Sequence, residues 1–205
     1  MARSPGIILD RDGTLIDVVR DEETGVISVA FHPSHIRLLP GVISGLSQLK
    51  RAGFVFAIAT NQPGPAKGMF SVDAVQRTHH ALISALGEHG IRVAAIEVCW
   101  HHPTGSPDGV QEFIAPCECR KPRPGLLNKA IEDADLEPLS TWMIGDSPAD
   151  VEAGRGAGVR SALIFADNRC ELCPLRSGPT VLPDLSAPRF DQIAQKILAA
   201  PRVVC

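Results

Sequence analysis

The chain has 205 residues, 44% hydrophobic and 21% charged, and its 20 basic residues against 23 acidic ones give a formal net charge of −3. That length suits one globular domain over 1–205 with a core that needs no disulfide staples. The composition excludes a disordered, collagen-like or coiled-coil chain, and the slight acidity argues against a nucleic-acid binder, which needs a basic face.

Gly6–Leu9 reads as a short buried strand ending in Asp10, too short an apolar run for a signal peptide. No stretch approaches the roughly 20 apolar residues of a membrane helix. A cytoplasmic, reducing setting follows, in which the six cysteines are thiols or metal ligands rather than a disulfide framework. Pro40–Ala52 is a helix with Val42, Leu46 and Leu49 on one face and Gly53 as its stop. Phe54–Ala59 is the next strand. Ser71 N-caps a helix running to about Glu88, with Val72, Val75, Leu82, Ile83 and Leu86 inward and His79 and His80 on the polar face. Val93–Val98 is a third strand, and Cys99–Pro122 an irregular loop rich in Cys, His, Pro and Gly. Pro124 opens a helix carrying Leu127, Ala130, Ile131 and Ala134. Trp142–Ile144 is a fourth strand, a helix from Pro148 ends among Gly154, Gly156 and Gly158, and Val159–Phe165 is a fifth strand. Cys170–Pro183 is irregular, and a last helix covers about Ala187–Ala199.

Unbroken apolar strands alternating with helices predict an α/β fold, a doubly wound parallel sheet. Ligands of such sheets sit outside the carboxyl ends of the strands. There the sequence places Asp10, Thr60 with Asn61, and Asp146. Asp12, two residues after Asp10, can face the same small volume, and Gly13 permits the turn. Carboxylates this close repel unless they share a proton or a cation; Mg²⁺ suits them best. A calcium loop of the EF-hand type is excluded, because its twelfth position here is Asp21 rather than Glu.

A second constellation lies in the long loop, as Cys99-Trp100-His101-His102-Pro103 and Cys117-Glu118-Cys119-Arg120-Lys121-Pro122. Two pairs of soft ligands across a flexible loop predict a closed, structural zinc site of Cys99, His101, Cys117 and Cys119, in which His102 could replace His101. Zinc would pin a loop otherwise long for a compact domain. Cys170, Cys173 and Cys205 read as spare thiols.

Asp10-Arg11-Asp12-Gly13-Thr14 resembles the first motif of the haloacid dehalogenase superfamily in its phosphatase form. Thr60 resembles the second motif, Lys121 the third and Gly145-Asp146-Ser147-Pro148-Ala149-Asp150 the fourth, all in the family's order. The resemblance implies a Rossmann-like core. It implies Asp10 as nucleophile forming an aspartyl-phosphate, Asp12 as general acid and base, and Mg²⁺ held by Asp10, the Asp12 carbonyl and Asp146. Thr60 and Lys121 would bind the phosphoryl group. Asp150 would stand behind the metal, touch it, or serve only as a charge at a helix N-terminus.

The zinc loop, with Thr60-Asn61-Gln62-Pro63-Gly64-Pro65-Ala66-Lys67-Gly68-Met69-Phe70, resembles the zinc-containing branch that includes heptose-bisphosphate and histidinol-phosphate phosphatases. It implies a member without a large cap, in which residues 17–35, residues 62–70 and the zinc loop enclose a small phosphorylated sugar. D-glycero-D-manno-heptose 1,7-bisphosphate is the first choice and histidinol phosphate the second. A polynucleotide 3′-phosphatase would share the Asp-x-Asp-Gly-Thr core, but the acidic balance opposes it. An inactive zinc-loop interaction module is opposed by the complete set of Asp10, Asp12, Thr60, Lys121 and Asp146. Asn61 and Arg120 join Thr60 and Lys121 as substrate-binding residues, in a monomer without nucleic-acid or membrane partners. Pro63, Pro65, Lys67 and Ser147 depart from the branch's usual residues.

Overall fold

The computed structural model describes residues 3–20, 23, 25–165 and 181–201. Cys170, Cys173 and Cys205 lie outside the described residues. Six parallel strands form one sheet in the order β5-β4-β1-β6-β7-β8. They are β1 (Ser4–Leu9), β4 (Val55–Asn61), β5 (Val93–Cys99), β6 (Leu136–Gly145), β7 (Arg160–Ile164) and β8 (Leu185–Ala187). A small antiparallel pair, β2 (Val19–Arg20) and β3 (Ile27–Ser28), stands apart in the loop after β1.

The strands are apolar on both faces because both are covered. Side chains alternate along a strand, so Ile7 and Leu9 of β1, Phe56 and Ile58 of β4, and Trp142 and Ile144 of β6 share one core. That core is closed by α1 (Val42–Arg51), α2 (Val72–Glu88) and α5 (Phe190–Ala199). Ile8, Ala57, Ala59 and Met143 point the other way, onto α3 (Gly125–Asp133) and α4 (Pro148–Gly156). The strand order reverses between β1 and β6, and this switch point opens the crevice where such sheets bind ligands. Among the described residues no helix is long and apolar enough to cross a membrane.

The expected fourth strand starts at Leu136 rather than Trp142. Its first half carries Glu137, Pro138 and Ser140, which hide it from a hydrophobic reading. It pairs Ser4 with Leu136, then shifts register before Ile7 meets Trp142. The last helix begins at Phe190, and Ala187 belongs to β8, an edge strand of three residues with little pattern to read. His79 is also corrected. It is buried on the inner face of α2, and only His80 is exposed. Ser71 caps α2 as expected, its Oγ accepting from Ala74 N–H at 3.2 Å.

Candidate active site and metal centre

Asp10 follows β1, and its N–H still bonds Ile144 O of β6 at 2.9 Å. The chain then turns at once, with the N–H groups of Leu15 and Ile16 both returning to Arg11 O. Gly13 sits at φ +84°, and any Cβ there would collide with the Asp146 carboxylate. One glycine thus provides both the turn and the close approach of the loops after β1 and β6.

Asp10, Asp146 and Asp150 each bring a carboxylate oxygen within 4.8 Å of the others. Lys121 enters this cluster from the end of the cysteine loop. Its Nζ donates to Asp10 Oδ1 at 2.7 Å, Asp150 Oδ1 at 2.6 Å and Ala59 O at 2.8 Å, which uses all three ammonium hydrogens. Burial alone would push the Lys121 pKa down, but the Asp10 and Asp150 charges outweigh it and the net shift is upward. The other oxygen of Asp150 accepts from Ser147 N–H and Oγ–H at 3.1 and 2.5 Å, capping α4. Asp150 therefore serves as the expected charge at a helix N-terminus and also as a counter-ion to Lys121.

Three carboxylates around one ammonium leave excess negative charge. Burial lifts the Asp10 pKa to about 6 despite Lys121, with Asp150 and Asp12 adding to the rise. Burial, then Asp10 and Asp150, hold the Asp146 carboxyl well above the usual range. An all-oxygen donor set with surplus charge suits a hard divalent cation such as Mg²⁺.

Asp12 does not face this cluster with its carboxylate. Its Oδ1 accepts from Ala30 N–H at 2.9 Å and Arg11 Nη2 at 3.1 Å; its Oδ2 accepts from Arg11 Nε and Gln62 Nε2, both at 2.8 Å. Asp12 nonetheless lies close enough for its charge to raise the Asp10 pKa. Arg11 and Gln62, which form this cradle, are both fully buried. Sequence reasoning passed over both, although Arg11 stands between the two aspartates and Gln62 two residues after Thr60.

Thr60, at the end of β4, is buried, and its Oγ1 accepts from Gln62 Nε2 at 2.9 Å. Asn61, expected among the substrate groups, clamps the Lys121 backbone. Its Nδ2 donates to Lys121 O at 3.0 Å and its Oδ1 accepts from Lys121 N–H at 3.1 Å. Arg120 donates to His101 O at 3.3 Å, beside the cysteine cluster.

The Cys99, His101, Cys117 and Cys119 ligand atoms converge in the second site. The sulfur–sulfur separations are 3.1, 3.4 and 3.6 Å, and His101 Nδ1 lies 3.5 Å from Cys119 Sγ and 4.0 Å from Cys99 Sγ. Tetrahedral zinc, with bonds of about 2.3 Å to sulfur and 2.0 Å to nitrogen, sets its ligands about 3.5–3.8 Å apart. The observed values bracket that range, so the donors fit zinc. His102 turns away, its Nδ1 lying 2.6 Å from Thr104 O. The same loop grips residues 62–70 through Ser106 N–H to Ala66 O, at 3.1 Å. Phe31 stacks on Phe70 with centroids 5.1 Å apart, so the loop after β1 joins the same rim. Trp142 packs under Arg160 and Trp100 against Phe113.

The HAD-hydrolase-like family model matches residues 118–186. The D-glycero-beta-D-manno-heptose-1,7-bisphosphate 7-phosphatase of Pasteurella multocida (strain Pm70) is 33% identical over 158 residues, 77% of this chain and 79% of the relative. The chain belongs to the HAD phosphatase family. The equally named protein of Escherichia coli (strain K12) is 32% identical over 165 residues, 80% of this chain and 81% of its own. A crystal structure of D,D-heptose 1.7-bisphosphate phosphatase from B. bronchiseptica, complexed with magnesium and phosphate, aligns with a TM-score of 0.72 at 29% identity. That alignment covers 95% of this chain and 98% of the other. As a HAD phosphatase, the chain is a phosphoric monoester hydrolase.

Proposed function

We propose that this HAD phosphatase is Mg²⁺-dependent and hydrolyses a phosphomonoester of D-glycero-D-manno-heptose 1,7-bisphosphate. The observation that carries the catalytic reading is the buried Asp10–Lys121–Asp150 cluster beside Asp146 at the switch point of the sheet. The substrate rests on relatives of that name aligned over about four-fifths of the chain.

Asp10 is the nucleophile. Its free oxygen attacks phosphorus while Lys121 holds Oδ1. Lys121 offsets charge on the nucleophile and the phosphoryl group, and Asp150 and Ala59 O fix its position. Thr60 donates its hydroxyl hydrogen to a phosphoryl oxygen. Asp12 delivers a proton to the departing sugar oxygen, then removes one from the water that cleaves the aspartyl-phosphate. Asp10, the Asp12 carbonyl and Asp146 would hold Mg²⁺, which would supply positive charge between an anionic nucleophile and an anionic phosphate. Cys99, His101, Cys117 and Cys119 would hold a structural zinc ion, and their loop carries Arg120 and Lys121. Arg120, a planar bidentate donor, meets the second phosphate or a sugar oxygen.

The test is phosphate release from heptose 1,7-bisphosphate, histidinol phosphate and a 3′-phosphorylated oligonucleotide, with and without Mg²⁺. Preferred, Mg²⁺-dependent turnover of the heptose bisphosphate is expected. Preference for either other compound sinks the substrate assignment. Equal turnover by Asp10→Asn sinks the catalytic one.

A further inference from the structure

Gln62 links two groups to which the mechanism gives different work. Its side-chain nitrogen has two hydrogens, one donated to Asp12 Oδ2 at 2.8 Å and the other to Thr60 Oγ1 at 2.9 Å. The residue is fully buried, and its backbone N–H is fixed to Cys99 O at 2.8 Å. The network sets the carboxamide's orientation, since the flipped form would press the Gln62 carbonyl oxygen against the Asp12 carboxylate.

Two consequences follow from donor and acceptor counting. Thr60 Oγ accepts from Gln62, so its own hydrogen must point elsewhere, free for a phosphoryl oxygen. Asp12 accepts four N–H bonds, two on each oxygen, from Ala30, Arg11 and Gln62. These four bonds fix the position and plane of the Asp12 carboxyl group.

We propose that Gln62 is a positioning residue that orients the acid–base Asp12 and the phosphate-binding Thr60 through one carboxamide, with Arg11 and Ala30 N–H completing the cradle. The proposal rests on the acid–base reading of Asp12 above. Arg11 suits the part, since it is fully buried and also donates to Ala30 O at 2.6 Å, which ties the loop after β1 to the Asp12 turn.

The test compares kcat/KM for the sugar phosphate and for 2,4-dinitrophenyl phosphate, whose leaving group needs no proton. kcat/KM covers binding through phosphoryl transfer, the stage at which the leaving oxygen is protonated. The two substrates are assayed in one preparation, so their ratio does not depend on how much of a variant is folded. Asp12→Asn is expected to lower kcat/KM for the sugar phosphate by about 100-fold more than for the aryl phosphate. Gln62→Met, similar in shape but without donors, is expected to shift the ratio the same way by roughly 10-fold, within the range of general acid catalysis. Thr60→Val is expected to lower both substrates equally. With the sugar phosphate alone, Gln62→Met in the Asp12→Asn background is expected to cost less than in the wild type. If Asp12→Asn shifts the ratio while Gln62→Met does not, or if the two changes are fully additive, Gln62 does not act through Asp12. If Asp12→Asn leaves the ratio unchanged, the acid–base reading itself fails.

Discussion

Lys121 Nζ donates to Asp10 Oδ1 at 2.7 Å, joining residues 111 positions apart in the chain. Lys121 is 4% exposed and its other two hydrogens go to Asp150 and Ala59 O. Truncating it leaves two carboxylates buried without their partner. Lys121→Met is expected to destabilise the metal-free protein by about 3–5 kcal/mol and to abolish turnover. Denaturant unfolding in chelator and in excess Mg²⁺ checks this. The deficit should shrink with Mg²⁺, which replaces part of the lost charge, and an equal deficit in both conditions contradicts a shared electrostatic site.

Gly13 tests the carboxylate cluster from the backbone. Its φ of +84° and its approach to Asp146 leave no room for a methyl group. Gly13→Ala is expected to cost more than about 1 kcal/mol and to displace the Asp146 carboxylate. A Mg²⁺ titration of the melting temperature reads the second effect. The wild type should gain stability with Mg²⁺ and the variant should need far more of it. An unchanged titration curve rules out Asp146 as a ligand displaced by the methyl group.

The cysteine cluster should be loaded as purified. Close to one equivalent of zinc per chain is expected, and Cys119→Ser should lose most of it. Cys119 Sγ is 3.1 Å from Cys99 and 3.4 Å from Cys117, so this change removes a central ligand. The Ser106–Ala66 bond and the position of Arg120 depend on the loop, so KM for the sugar phosphate should rise and proteolysis within 100–116 should accelerate. Full stability and activity after zinc removal contradicts a structural role.

His79 predicts a pH dependence of stability. Burial first, then the Arg11 charge, lowers its pKa from 6.5 to about 4, and its Nε2 has no hydrogen-bond partner among the described residues. Between those values the unfolded chain binds a proton that the folded chain refuses. The stability attached to neutral His79 is therefore complete above pH 6.5 and lost as the pH falls toward 4, by up to about 3 kcal/mol. His79→Leu is expected to flatten stability over that window relative to the wild type, measured by urea unfolding at stepped pH. Parallel curves place the titration elsewhere.

The strand cores and the polar edge were legible because apolar runs ending in Asp10, Thr60 and Asp146 are a direct consequence of a sheet covered on both faces. The convergence of Cys99, His101, Cys117 and Cys119 was legible from their paired spacing. The first half of β6 was not, because a bulged strand with Glu137 and Pro138 carries no apolar period. Nor was the Asp12 cradle. Arg11 and Gln62 look like surface residues in sequence, and only the fold brings Ala30 and β4 to the same turn. Asn61 shows the same limit, since the residue beside Thr60 clamps the Lys121 backbone.

The central claim is that Asp10 carries the phosphoryl group covalently. Rapid acid quench during turnover of the sugar phosphate, followed by peptide mass spectrometry, tests it most directly. A phosphorylated carboxylate, labile to hydroxylamine, is expected on the peptide containing Asp10, and none in Asp10→Asn. Turnover with inversion of configuration at phosphorus and no trapped phosphoenzyme would contradict the account.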